Sequence, residues 1–345
     1  MSMSRVLITG GAGFIGTHLA ERLCGQLEVV LFDNFRRDSL AFAPHLRAQP
    51  GVTITSGDVL DRAAISEAIT GADTVVHLAA IAGVSSYYAM PLRTLQVNVL
   101  GTVNVLEEAV AHGVKRFIDC STSEVYGPDA LWVDEESPHG IGPVSDNRWV
   151  YASSKLAGEQ FTLRYTQEHG MCGTVIRPFN VYGPRQTGEG AISNFCRAVA
   201  SGEPMTVYGE GTAIRAWCYV SDLIEAMVAA LNTPEAAGQV FNIGNPTEAE
   251  STLGLARRIA RLEPQAEIRF EAVARSDVRA RIPRIDKARA MLAYEPKVDL
   301  DEGLRRTLDW FKKQKVHGNE QGVHGDEGCR DRRRQDGPAV GVPVR

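Results

Sequence analysis

The chain of 345 residues carries 37 basic and 42 acidic side chains, a formal net charge of -5, with 44% hydrophobic and 23% charged residues. That balance belongs to a globular chain large enough for two domains or one large α/β domain. It gives no electrostatic reason to expect nucleic acid or an anionic membrane as the main partner.

No uncharged apolar run approaches the ~18 residues of a membrane helix. Met1–Arg5 leads straight into a strand-like segment, so no signal peptide is expected. The six cysteines form no CxxC pair, which predicts reduced thiols, a cytoplasmic protein and no metal site. In chain order, β-branched runs at Arg5–Thr9, Glu28–Asp33, Val52–Thr55, Thr74–His77 and Arg116–Cys120 predict buried parallel strands. Between them Phe14–Gly25, Asp61–Thr70 and Pro91–Gly113 are long enough for crossover helices. Asp61 suits a cap, Pro91 a first turn and Gly113 a position just past a helix end. This alternation predicts an α/β fold with a doubly wound parallel (Rossmann) sheet.

Beyond residue 150 turn signals multiply, as at Tyr182–Pro184 and Gly244–Pro246. A smaller mixed α/β domain is expected there, with late segments returning to the sheet. The expected division is a mainly dinucleotide-binding unit over 4–177 and a mainly substrate-binding unit over 178–315. From 316 to 345 apolar periodicity is lost, which predicts a disordered tail with Arg332–Arg334 as a solvated basic run.

After the first strand, Thr9–Gly16 reads TGGAGFIG and opens a helix. Glycine at 10 and 13 lets backbone amides approach a pyrophosphate, and Gly16 lets helix and strand pack closely. The helix dipole then favours the phosphates. Asp33 ends the second strand, where a carboxylate hydrogen-bonds the ribose hydroxyls of NAD and repels the 2′-phosphate of NADP. Arg36 and Arg37 follow it and are able to accept that phosphate. Gly57-Asp58-Val59 fits the adenine side, and the small residues of Leu78-Ala79-Ala80 let a dinucleotide lie across the strand ends. His77 reads as a hydrogen-bonded strand-end histidine.

Tyr151 and Lys155 stand four apart, on one face of a helix. An ammonium beside a phenol favours the phenolate and is expected to lower the Tyr151 pKa, making it a usable base. The hydroxyls and carboxylate of Ser121–Glu124 lie at the same carboxyl edge of the sheet, where open α/β folds bind ligands.

Taken together, these residues resemble the extended short-chain dehydrogenase/reductase family, the NAD-dependent sugar-nucleotide epimerases, dehydratases and decarboxylases. The resemblance covers residues 4–314. It rests on TGGAGFIG at 9–16, GDVLD at 57–61, HLAA at 77–80, VNVLGT at 97–102, STSEVYG at 121–127, YASSK at 151–155 and RPFNVYGPRQ at 177–186. It implies that NAD is held by the loop including Phe14 and Ile15, by Asp33 and Asn34, by Asp58 and Val59, by Leu78–Ala80, and by Tyr151 and Lys155. Tyr151 is the implied acid/base, Lys155 its electrostatic partner, and Thr122 the hydroxyl on the reacting sugar oxygen. Ser123, Asn180, Arg185, Arg215 and Arg281 are implied substrate contacts, Arg215 and Arg281 through the diphosphate, Arg215 alternatively through a sugar carboxylate. Arg148 and Trp149 carry no assigned role. The partners implied are a UDP-sugar and a second copy of the chain.

Such enzymes begin by oxidising the sugar at C4. Dehydratases use an Asp-Glu pair where this chain has Ser123-Glu124, which disfavours water loss. STSEVYG and Arg148–Tyr151 resemble uronate decarboxylases, which give UDP-xylose from UDP-glucuronate. Those decarboxylases carry an arginine where this chain has Gly190, and the loop Gly183–Gly190 is closer to epimerases. The sequence therefore favours a 4-epimerase of a UDP-hexose or UDP-glucuronate, with Glu124 tuning the pocket and a decarboxylase as runner-up. A non-catalytic NAD-binding regulatory protein is the reading from another class, against which Thr122, Tyr151 and Lys155 argue.

Overall fold

The computed structural model describes residues 4–272 and 278–320. Five strands follow in order: β1 (Arg5–Thr9), β2 (Glu28–Asp33), β3 (Val52–Ser56), β4 (Thr74–His77) and β5 (Arg116–Cys120). With Cys172–Pro178 and Val240–Ile243 they form one seven-stranded sheet, ordered Val240–Ile243, Cys172–Pro178, β5, β4, β1, β2, β3. Every pairing in it is parallel. Such strands are apolar at consecutive positions because both faces are covered. Val6 and Ile8 pack into one core with α1 (Phe14–Leu23) and the helix Val220–Asn232. Leu7 packs into the other, with Ile65, Val105 and Leu106 of the helices Arg62–Ile69 and Gly101–Ala111.

The Pro91–Gly113 stretch is not one regular helix. A helix over Pro91–Leu95 passes through a π turn, Gln96–Leu100, into the helix Gly101–Ala111. The π turn places Asn98 so that its side chain accepts from Ile81 N at 2.8 Å and donates to Ile81 O at 3.1 Å and Ser154 Oγ at 3.0 Å. It pins the loop after β4 to the helix Val150–His169. Gly113 does follow the helix end, in the left-handed region at φ 69°, and the Asp61 side chain caps the helix Arg62–Ile69.

A second sheet, ordered Ala249–Ser251, Ile214–Ala216, Ala280–Pro283 and Asp129–Val133, draws one strand from the first half of the chain. Val240–Ile243 crosses the other way, into the main sheet. The last helix runs from Leu300 to Glu320, so residues 316–320, read from sequence as tail, continue it. The rest of that tail, 321–345, lies outside the described residues. No helix among the described residues is long and apolar enough to cross a membrane.

Candidate active site

Strand order reverses between β1 and β4, and a cleft of about 1470 Å³ opens above their carboxyl ends. This is the place where the topology leaves a crevice. Gly10, Gly13, Phe14, Ile15 and Gly16 line its floor. Gly10 has φ 69°, and a Cβ on it would lie 2.7 Å from Ala79 N, so no side chain fits there. Leu78, Ala79 and Ala80 abut this loop, and Asn34, Asp58 and Val59 also line the cleft. Asp33 closes β2, with Oδ2 accepting from Ala12 N at 2.9 Å and Oδ1 from Phe35 N at 2.8 Å. Burial pushes its pKa up, against those backbone hydrogen bonds. The Asp58 carboxylate accepts from Arg93 Nη2 at 2.8 Å. The backbone loop, its missing Cβ and the ribose-side carboxylate are donors and space that suit a dinucleotide.

Arg37 is held by Ser86 Oγ at 2.9 Å and Glu189 at 3.6 Å, and Glu189 also accepts from Ser85 N at 2.8 Å. Its guanidinium is therefore turned to the cleft mouth. His77, fully buried, bridges Thr9 Oγ1 at 2.7 Å and Thr102 Oγ1 at 3.0 Å. Burial pushes its pKa down to about 3.

At the other end, Thr122 caps the short 3-10 helix Ser123–Tyr126, its Oγ1 accepting from Glu124 N at 3.2 Å. The Thr122 hydroxyl lies near the Tyr151 phenol and favours its ionised form, and the Tyr151 ring stacks on Tyr87 at 6.0 Å and 7°. Thr122, Ser123, Glu124 and Tyr151 all face the cleft. The expected lowering of the Tyr151 pKa is not what the geometry gives. Burial, and then the Glu124 carboxylate, push the phenol above its ordinary range, while Thr122 opposes them. Lys155 does not offset this, because its Nζ donates to the buried Asp119 Oδ1 at 3.2 Å.

Glu124 is sandwiched between two arginines. Arg148 Nη1 donates to its Oε2 at 2.6 Å and Arg281 Nη1 to its Oε1 at 3.4 Å. Burial alone would raise its pKa, yet Arg281 and Arg148 together hold it below the usual carboxylate range. Arg281 is buried, and its Nε and Nη2 have no hydrogen-bond partner. It sits on the strand Ala280–Pro283, in register with Arg215 of Ile214–Ala216. Arg148 also donates to the Tyr87 hydroxyl at 2.6 Å. It is a buried part of the site that sequence reasoning passed over, and so is Asp119. The signal for Arg148 was its place one turn before Tyr151.

Asn180 and Arg215 line the cleft nearer its mouth. Arg185 does not face it. Its positive φ of 69° turns the side chain onto α1, where it pairs with Glu21 at 2.5 Å and His18 Nδ1 at 2.8 Å. The expected substrate contact from Arg185 is thus replaced by a structural one. No cluster of three or more potential metal ligands occurs among the described residues.

Residues 6–244 match the family described as NAD dependent epimerase/dehydratase. The chain is 35% identical over 319 residues to a UDP-N-acetyl-alpha-D-glucosaminuronate decarboxylase of Bacillus cytotoxicus, covering 89% of this chain and 98% of that one. It is 36% identical over 318 residues to UDP-glucuronic acid decarboxylase 1 of Xenopus tropicalis, covering 91% and 73%. Among solved structures, a UDP-glucuronic acid 4-epimerase of Bacillus cereus in complex with UDP-glucuronic acid and NAD superimposes with a TM-score of 0.83. The identity is 30%, over 90% of this chain and 99% of that one. The glycine loop, the cleft at the strand reversal and the Thr122–Tyr151 pair meet in the same fold as these proteins, and the chain belongs to the NAD-dependent epimerase/dehydratase family.

Proposed function

We propose that the protein uses NAD to oxidise C4 of a UDP-uronate and then releases the C5 carboxyl group as carbon dioxide. The observation that carries this is Glu124, held ionised between Arg148 and Arg281 beside Tyr151. Arg281 keeps two buried donors, Nε and Nη2, without a hydrogen-bond partner beside that carboxylate. A substrate carboxylate meets both donors with a charge-assisted, two-oxygen fork, whereas the hydroxyls of a neutral hexose offer acceptors without the charge.

NAD, held by the glycine loop, Asp33 and the Leu78–Ala80 segment, supplies the acceptor for the C4 hydride. Tyr151 takes the proton of the 4-hydroxyl while Thr122 fixes that oxygen by hydrogen bonding. In the resulting β-keto acid the C5–C6 bond breaks, carbon dioxide leaves, and the bond's electron pair becomes the C4–C5 enolate. The charge moves to O4, where Thr122 and the protonated Tyr151 donate to it. Glu124 faces the departing carboxylate with like charge, which favours moving that charge towards O4. A proton then returns to C5, and return of the hydride to C4 with the Tyr151 proton to O4 would give the UDP-pentose and leave NAD in its starting oxidation state.

Retention of the carboxylate with inversion at C4 is the second reading. It is favoured by the likeness to the solved UDP-glucuronic acid 4-epimerase and by the absence of an arginine at Gly190. We rank decarboxylation first because an epimerase gains nothing from a buried anion beside its substrate's own. Nuclear magnetic resonance of the products from UDP-glucuronate separates the two. A pentose lacking C6, with UDP-glucose left unchanged, is expected; a dominant uronate 4-epimer overturns this ranking.

The same reading assigns the dinucleotide mainly to residues 4–177 and the sugar nucleotide mainly to 178–315. It places the protein in the cytoplasm, on the ground that Cys24, Cys120, Cys172, Cys196 and Cys218 are free thiols. It takes the working unit as a homodimer, supported by the exposed Leu92, Leu95 and Leu100 ahead of and within the π turn and by Phe161.

A further inference from the structure

Asp119 is a carboxylate in the middle of a parallel sheet. It is the fourth residue of β5, fully buried, in register with His77 of β4 and Val175 of the Cys172–Pro178 strand. Its Oδ1 accepts from Lys155 Nζ at 3.2 Å, and its Oδ2 has no partner. Phe117, which points to the same face, is apolar. A half-satisfied buried carboxylate lowers stability relative to an apolar residue, so its presence calls for a task.

The surroundings show what its charge acts on. From the Tyr151 helix it is faced by Lys155, Glu159 and Tyr151, from β4 by His77, and from its own strand by Cys120, while Glu124 acts on Tyr151 from past the strand end. From the helix Gly101–Ala111 the neutral Thr102 lies beside it, both flanking Gly158. Glu159 is matched by Arg177 at 2.7 Å, Glu124 by Arg148 and Arg281, and His77 is held neutral between two threonine hydroxyls. Lys155 is thus the charge that Asp119 directly engages.

We propose that Asp119 is a positioning residue for the reaction: it draws the Lys155 ammonium towards the sheet core, takes up part of its charge, and thereby sets the pH at which Tyr151 accepts a proton. This rests on Tyr151 and Lys155 being the acid/base pair of the proposed function. A bare cation near a phenol stabilises the phenolate, and a cation already paired with a carboxylate does so less. The upward push that Tyr151 experiences, to which Asp119 contributes, agrees in sign. The chain accordingly runs its base at higher pH than the same site with an apolar residue at position 119.

Asp119→Asn tests this, because it keeps the size and an acceptor oxygen while removing the charge. The acid limb of the pH profile of kcat/KM is expected to move to lower pH by about one unit. A second readout does not depend on turnover. The near-ultraviolet difference spectrum between Asp119→Asn and Asp119→Asn/Tyr151→Phe reports ionisation of the Tyr151 phenol. It should titrate at lower pH than the same difference taken between the parent and Tyr151→Phe. A purely structural role for Asp119 would lower activity or melting temperature and leave both titrations in place, and that result overturns the proposal.

Should Asp119→Asn fail to fold, Asp119→Leu suits the apolar strand and must shift both titrations with the same sign. Lys155→Met, which strands the carboxylate, should also melt below Asp119→Leu/Lys155→Met, and the reverse order counts equally against the pairing. Near-normal turnover by Tyr151→Phe would instead sink the acid/base reading, and leaves the spectroscopic titration as a separate result.

Discussion

Glu159 stands about two helical turns from Tyr151 and closes a 2.7 Å ion pair with Arg177 of the neighbouring strand. The pair is buried and is built into the catalytic loop. Ser121 donates to Glu159, and Arg177 Nη1 donates to the Tyr126 hydroxyl at 2.7 Å. Both ends of the segment that carries Thr122 and Glu124 are therefore tied to one ionic contact.

Removing one partner from such a pair leaves an uncompensated buried charge. Arg177→Met should cost about 3–5 kcal/mol of stability, measured by denaturant unfolding. Arg177→Met/Glu159→Met should recover a good part of the loss, because no charge is then stranded.

Tyr151→Phe should lower kcat by about 10²–10⁴-fold, the usual size of a general acid–base contribution. The ring still stacks on Tyr87, so melting temperature and dinucleotide content are expected to stay near those of the parent. Single-turnover kinetics with UDP-glucuronate checks the first point, and release of bound nucleotide on denaturation checks the second.

Arg281→Met removes the guanidinium whose two free donors await an anion. Loss of a buried charged hydrogen-bond partner typically costs about 2–5 kcal/mol of binding, so affinity for UDP-glucuronate should fall at least ~30-fold. Affinity for UDP itself should change little, because this reading gives Arg281 the sugar carboxylate in place of the diphosphate contact that the sequence implied. Isothermal titration with both ligands makes the comparison.

We infer the dinucleotide preference from Asp33, whose carboxylate would meet the 2′-phosphate of NADP. Denaturing the purified protein should release NAD(H). Asp33→Asn is expected to narrow the preference for NAD over NADP, read from competition binding. A parent protein that binds NADP more tightly would show that Arg36 or Arg37 outweighs Asp33.

Acid should destabilise the protein through His18. Burial, and then the Arg185 guanidinium beside it, push its pKa from 6.5 down to about 4. The unfolded chain takes up that proton near pH 6.5 and the folded chain only near 4. Stability supplied by the neutral ring is thus present above pH 6.5, is lost as pH falls through this window, and amounts to about 2–3 kcal/mol. Unfolding curves at pH 7 and pH 4 read this loss together with that of the buried His77, whose pKa burial pushes down to about 3, and His18→Gln should reduce the difference without abolishing it.

Much of this architecture can be read from the chain. The strands show because consecutive apolar residues mark a sheet covered on both faces, and Gly10 shows because only a missing Cβ clears Ala79. Thr122, Tyr151 and the glycine loop sit close together along short motifs. The Glu124–Arg281 contact joins residues 157 apart and exists only because Ala280–Pro283 inserts between Ile214–Ala216 and Asp129–Val133. No local pattern announces such a meeting. Arg185 lies within a recognisable motif, yet its backbone dihedral sends the side chain away from the cleft. Asp119 is hidden for the opposite reason, as one polar letter in an apolar strand. The π turn at Gln96–Leu100 has no signature of its own, because Val97, Asn98, Val99 and Gly101 lower helical propensity there without distinguishing a π turn from an α turn.

The contact between Arg37 and Glu189 spans the cleft mouth, where Ser85 and Ser86 join it. Two loops and the helix Val84–Ala89, far apart in sequence, are thereby buttoned together by a partly exposed ionic contact. Charges in such a place feel the ions of the medium, whose screening length is only about 10 Å at 0.1 M, whereas the buried pairs below are shielded from them. Added salt therefore loosens the doorway while leaving the room behind it intact, so ionic strength tunes how fast ligands come and go more than how tightly the reacting groups are held.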